Sequence, residues 1–134
     1  MPIFLKLKKR KDFVRAAKSG VSVATRSIVI QAVFQKENTA DVARIGYTTT
    51  KKIGKANVRN RCRRRLRAAA ALFFGDLALS NADYVLIARY CTADIDWQEL
   101  CKDLQYGIKK INKLLNGETD CAEQNDKTPV SVTD

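Results

Sequence analysis

IGYTTTKKIGKANVRNRCRRRLRAAAALF, residues 45–73, decides how the rest of the chain reads. Up to about Thr50 the run has strand period; from about Ala56 it has helix period. Gly54 supplies backbone freedom at the junction. On a helix, Val58, Cys62, Leu66, Ala69 and Phe73 form an apolar stripe that needs a sheet or a second helix to cover it. Asn60, Arg63, Arg64 and Arg67 collect opposite, flanked by Arg59, Arg61 and Arg65. There are nine basic residues between Lys51 and Arg67, and no acid between Asp41 and Asp76. A helix buried on one side and lined with guanidinium forks on the other suits a phosphate backbone. This helix is expected to dock on RNA.

Charge and composition around that stretch agree. The chain has 134 residues, a length for one domain with a modest core, and its 46% hydrophobic content argues against wholesale disorder. Residues 117–134 carry Glu118, Asp120, Glu123, Asp126 and Asp134 against Lys127 alone. The other 116 residues therefore hold 24 bases against 9 acids, a net of +15. Such a body attracts polyanions. Cys62, Cys91, Cys101 and Cys121 form no Cys-x-x-Cys pair and histidine is absent, so no zinc site is expected. Cys62 and Cys101 lie on apolar helical stripes, as buried free thiols do. No signal peptide and no segment of membrane-spanning length is visible, which points to a reducing, cytoplasmic setting without a membrane partner.

Outward from the central stretch, residues 6–18 read as a short amphipathic helix stopped by Ser19-Gly20. Val21 to Ala24 and Arg26 to Phe34 read as strands. In the longer one Ile28, Ile30, Ala32 and Phe34 face one way and Val29, Gln31 and Val33 the other, so helices cover parts of both faces or one face binds a ligand. Residues 36–41 read as a hairpin loop into a strand over 42–50. After the arginine helix come a short turn or helix at 76–81 and the apolar strand Asp83 to Tyr90. A last helix starts at Asp96 with a capping box to Glu99, and Trp97 heads its apolar stripe. Gly107 within it should cost about 1 kcal/mol relative to alanine. The expected fold is α+β: a two-layer α-β-β-β-α-β-α sandwich on a small four-stranded mixed sheet over residues 1–116. Residues 117–134 are expected to form a disordered acidic tail.

The segment KKIGKANVRNRCRRRLR resembles the signature of the bacterial ribonuclease P protein component, with Arg59-Asn60-Arg61 following Lys51-Lys52-x-Gly54-x-Ala56. Leu7 to Phe13, Gly20 with Arg26, Tyr84 to Arg89 and Trp97 to Leu115 extend the resemblance over roughly residues 5–115. It implies a protein without catalytic groups or a metal of its own. In that family a partner RNA, using divalent metal such as magnesium, cuts the 5′ leader from precursor tRNA. The implied partners are that catalytic RNA and precursor tRNA, with no obligate protein partner. The resemblance implies catalytic-RNA contacts at Lys51, Lys52, Lys55, Arg59, Asn60, Arg61, Arg63, Arg64 and Arg67. It implies a leader cleft drawn from Arg10, Lys11, Phe13, Arg15, Arg26, Ile28, Ile30 and Tyr47. It further implies the fold of the second domain of the fifth small-subunit ribosomal protein, with a left-handed β-α-β crossover where the general rule is right-handed. Asn57, Arg65, Ala17, Ile28 and Gln31 depart from the family's usual choices; the last three leave fewer rings to stack leader bases.

Plainer readings compete. A solvated basic face would also keep the protein soluble, but solubility does not call for six arginines in nine residues with no lysine or acid among them. Asn60 could be a plain surface amide, Phe13 a plain core ring, and Arg10, Lys11, Arg15 and Arg26 generic charge. Protein-only catalysis lacks histidine, and Asp12, Asp41, Asp76 and Asp83 are scattered along the chain. A ribosomal or RNA-chaperone protein is the alternative from another class. A transcriptional regulator is disfavoured by the β-β-β-α-β order, and membrane binding by the lack of a broad apolar face on the basic helix.

Overall fold

The computed structural model describes residues 4–35 and 42–117. In chain order these form β1 (Phe4–Lys6), α1 (Arg10–Ser19), β2 (Val21–Ala24), β3 (Ile28–Phe34) and β4 (Ala43–Thr48). A 3-10 turn (Lys51–Ile53), α2 (Ala56–Leu77), β5 (Ala82–Ala88) and α3 (Trp97–Leu115) follow. The strands make one mixed sheet in the order β1-β4-β5-β3-β2. β5 lies at its centre, antiparallel to β3 and parallel to β4. That position matches its sequence, since six of its seven residues are buried.

Strand alternation sorts the core into two faces. Ile28, Ile30 and Ala32 of β3, Ile45 of β4, and Tyr84 and Leu86 of β5 face α2 and α3. There they meet Cys62, Leu66 and Phe74 of α2 and Leu104, Ile108 and Ile111 of α3. Phe74 stacks edge-on against Phe4 on one side and Tyr84 on the other, with ring centroids 5.0 Å apart in each pair. The odd positions point the other way: Val85, with Val33 and Ile87 beside it, packs against Leu7 and against Phe13 and Ala16 of α1. The α+β class with a mixed sheet holds, but helices flank both faces, so the expected two layers become helix, sheet and helices. Two-sided apolarity in β3 is the trace of this in the sequence.

Several boundaries differ from expectation. The sheet has five strands, because the three residues of β1 pair parallel with β4, from Phe4↔Ala43 to Lys6↔Ile45. So short a segment carries almost no periodic signal, and the helix expected from residue 6 begins at Arg10. The hairpin is β2–β3, not β3–β4, since β5 separates the latter two; the expected loop at 36–41 lies outside the described residues. Phe74, not Phe73, is the ring fully buried on α2. At the head of α3, Asp96 accepts from the Gln98 N–H at 3.0 Å, and the reciprocal Glu99 bond is not formed. Gly107 is required rather than costly: a Cβ there would lie 2.5 Å from Ile30 Cδ1, so glycine lets α3 approach β3. Cys62 and Cys101 are buried free thiols, and Cys121 lies outside the described residues, as does the expected tail beyond Gly117.

Candidate nucleic-acid interface

The parallel strands β4 and β5 end on the side of the sheet where α2 begins. Between β4 and α2, Gly54 takes φ 153°, in the left-handed range; a Cβ there would also crowd Val58 at 3.2 Å. Lys51, Lys52 and Lys55 are all exposed around it. Lys55 caps α2 without a side-chain bond and the first turn holds no acid, so positive backbone potential and lysine charge add at this end.

Along α2 the arginines divide by what they touch. Arg65 faces the β5–α3 loop, donating through Nη1 to the Thr92 carbonyl at 2.7 Å and through Nη2 to that of Ile95, with its guanidinium 5.8 Å from the Trp97 ring. Arg61 joins it, with Nε donating to the Ala93 carbonyl at 2.7 Å. Arg63 donates to Thr49 Oγ1 at 2.7 Å and to Asn60 Oδ1 at 2.6 Å, which holds its fork toward the end of β4. Arg67 lies over the Tyr47 ring at 5.7 Å. Burial pushes the Tyr47 phenol up to about 12, against the pull of Arg67. Arg64 is exposed, and Arg59 is half-buried with its Nε shielded from solvent and lacking an acceptor. None of these arginines is ion-paired among the described residues; every ion pair there belongs to Arg15 or Arg44.

The opposite face of the sheet is partly roofed by α1. The Phe13 ring sits over Gly46, where a Cβ would stand 2.5 Å from Cε1 and Cζ, so the ring needs glycine beneath it. One end of α1 is pinned by charge. Asp83 is fully buried and takes 2.7 and 2.6 Å bonds from Arg44 and a 2.8 Å bond from Arg15. Arg15 also donates to the Phe34 carbonyl at 2.8 Å, and Asp12 stands 3.7–3.8 Å from both arginines. The hydrogen bonds that Arg44 donates to Asp83 hold its guanidinium further up than usual, against its burial. Away from this clamp, Val29, Gln31, Ile87 and Thr48 are half-buried on the same face and give it a shallow trough.

The ribonuclease P protein family model matches residues 1–112. This chain belongs to the ribonuclease P protein family. Curated ribonuclease P protein components similar to it include that of Gluconacetobacter diazotrophicus, 41% identical over 105 residues, spanning 78% of this chain and 89% of that one. That of Caulobacter vibrioides is 41% identical over 125 residues, spanning 85% and 83%. Among solved structures, a Staphylococcus aureus RNase P protein mutant with defective mRNA degradation activity has TM-score 0.69 at 29% identity, covering 80% of this chain and 87% of that one. The RNase P protein from Thermotoga maritima has TM-score 0.68 at 25% identity, covering 79% and 96%.

Within this ribonuclease P protein the expected residues do not all gather. Lys51, Lys52, Lys55, Arg59, Asn60, Arg61, Arg63, Arg64 and Arg67 do share the α2 surface and the loop before it, though Arg61 spends its Nε on Ala93. Arg10 and Lys11 are exposed on α1, and Phe13 extends from α1 over Gly46 at the trough. Ile28 and Ile30 do not reach that trough: both are fully buried against α2 and α3. Tyr47 is on the α2 face under Arg67. Arg15 is committed to Asp83 and Phe34, and Arg26 is exposed at the other end of β3, in the turn after β2. The alternate residues, Val29, Gln31 and Ile87, take the place of Ile28 and Ile30; the two-sided pattern of β3 held that information but not which side α1 would roof. Among the described residues no group of three or more His, Cys, Asp or Glu could hold a metal ion. Asp12 and Asp83, distant in sequence, meet only through the two arginines they share. The chain thus offers no fit for a divalent cation there. No helix among the described residues is long and apolar enough to cross a membrane.

Proposed function

We propose that this ribonuclease P protein component seats α2 and the 51–55 loop on the catalytic RNA and receives the 5′ leader of precursor tRNA in the trough between α1 and the sheet. The observation that carries this reading is the α2 surface, where Arg59, Arg63, Arg64 and Arg67 have no carboxylate partner among the described residues. Unneutralised forks of that density favour phosphates over water. In the leader trough the contacts are Phe13, Val29, Gln31 and Ile87, with Arg10 and Lys11 at the rim, in place of Ile28, Ile30, Tyr47 and Arg15. With one ring in that trough, the leader is held by phosphate charge and apolar surface more than by stacking.

The protein's part is electrostatic: it lowers repulsion where leader and catalytic RNA converge. Hydrolysis and divalent metal belong to the RNA in this reading. The reading includes a folded unit over residues 1–116, a cytoplasmic setting, no obligate protein partner and a left-handed β4–α2–β5 crossover. Reconstitution with a bacterial catalytic RNA at low magnesium tests it. Affinity for leader-bearing over mature tRNA should rise when the protein is added. Arg59→Ala and Arg63→Ala should each weaken catalytic-RNA binding and lower the salt slope by about 0.7–0.9 per lost phosphate contact. An unchanged precursor-to-mature ratio would overturn the reading.

A further inference from the structure

Tyr90 is the most exposed aromatic residue of the chain, at 71%, and stands just after β5. The other exposed rings have neighbours or lie elsewhere: Tyr106 is covered by Lys110, Trp97 by Arg65, and Phe34 ends the opposite side of β3. Tyr90 makes no hydrogen bond or ring contact among the described residues. Single exposed rings are common on protein surfaces and by themselves mean little. What distinguishes this one is the backbone that carries it.

The loop around Tyr90 is tied at both ends. The Arg89 N–H donates to Thr92 Oγ1 at 2.7 Å, and that hydroxyl donates to the Ser27 carbonyl at 2.6 Å. Arg61 and Arg65 of α2 hold the carbonyls of Thr92, Ala93 and Ile95. Arg89 Nη1 donates to the Thr25 carbonyl at 3.2 Å, and Cys91 Sγ to that of Arg26 at 3.2 Å, joining this loop to the β2–β3 turn. A ring on so fixed a backbone loses little freedom when a ligand stacks on it. Arg89 precedes it in the chain, Arg26 lies in the turn to which Cys91 is bonded, and neither carries an ion pair among the described residues. Of the acids on these segments, Asp96 accepts from the Gln98 N–H at the α3 N-terminus, Asp103 accepts from the Ser27 hydroxyl at 2.6 Å, and Asp94 is exposed. Tyr90 follows the end of β5 on the side of the sheet from which α2 starts, at the opposite end of that strand from Asp83, in the loop that Arg61 and Arg65 brace.

We propose that Tyr90, on the loop joined to the β2–β3 turn, is a stacking platform for an unpaired RNA base whose adjoining phosphates Arg26 and Arg89 hold. The inference rests on the proposed function and supplies the exposed ring that the trough lacks. Two sources present this chemistry, an unpaired stretch of the leader and an unpaired nucleotide of the catalytic RNA. The test uses the full chain and its Tyr90→Ala, Tyr90→Phe and Tyr106→Ala variants. One arm measures the reconstituted holoenzyme's affinity for precursor tRNA with a long leader; the other measures affinity of the protein for the catalytic RNA alone. Tyr90→Ala should lose about tenfold in at least one arm, which identifies the source, while Tyr90→Phe and Tyr106→Ala stay near wild type. No loss in either arm, or an equal loss with Tyr90→Phe, overturns the platform. If the wild-type chain itself neither binds the catalytic RNA nor favours precursor tRNA, the underlying functional reading has failed instead.

Discussion

Replacing Asp83 by alanine should unfasten α1 from the sheet. Its carboxylate is fully buried and is the shared acceptor for Arg15 and Arg44, whose side chains remain 18% and 17% exposed. Removing one partner of a buried ion pair costs about 3–5 kcal/mol, because the charges left behind are poorly solvated. Here both arginines keep a path to water, Asp12 stands 3.7–3.8 Å away, and Arg15 retains the Phe34 carbonyl, so the loss belongs at about 3 kcal/mol, the low end. Unfolding entropy of about 2.1 cal/mol/K per residue, over the roughly 110 described residues, turns that into a Tm fall of about 13 °C. Circular dichroism melting of the full chain measures it. Asp83→Asn, which keeps an acceptor but not the charge, should fall between wild type and alanine. A shift under about 3 °C for Asp83→Ala would show that the clamp contributes little and refute the reasoning.

Arg64 and Arg65, adjacent on α2, should separate RNA binding from stability. Arg65→Ala frees the β5–α3 loop and lowers Tm, whereas Arg64→Ala leaves Tm unchanged and reduces catalytic-RNA affinity and its salt slope. Gly46→Ala sets a methyl 2.5 Å from the Phe13 ring, so it should cost about 1–3 kcal/mol by overpacking and blunt the preference for precursor over mature tRNA, read by melting and by competition binding. Burial pushes the Tyr84 phenol up to about 12, as it does that of Tyr47. The folded state thus binds those protons more tightly than the unfolded chain. Stability from this source is full below about pH 10 and lost as pH rises toward 12, so tyrosinate absorbance should lag that of the denatured chain by two of four tyrosines. Four phenols ionising together with the denatured chain would contradict this.

The arginine helix was legible because its signal is local: six arginines between residues 59 and 67 without an acid among them, on a period that also yields an apolar stripe. The β4–α2–β5 unit followed from the same run, and the family from its motif. β1 was not legible, since three residues acquire strand geometry only by pairing with β4. Nor was the neighbour of β3, as an edge-to-edge choice between β4 and β5 leaves no mark in either strand's own pattern. Assignment of Ile28, Ile30 and Tyr47 to the wrong face has the same origin. Alternation tells which residues share a face, and only the packing of α1 on Val85 and of α2 and α3 on Leu86 tells which face is which.

Sequence by itself determined the charge, its concentration on one helix and the residue types able to meet phosphate, because these follow from composition and short-range period. The tertiary structure alone decided which arginines are spent inside the fold. Arg15 and Arg44 meet Asp83, and Arg61 and Arg65 meet the carbonyls of the β5–α3 loop, through contacts between residues 27 to 68 positions apart. Identical side chains in one run become brace or binding group according to which acceptors the distant chain brings within hydrogen-bonding reach.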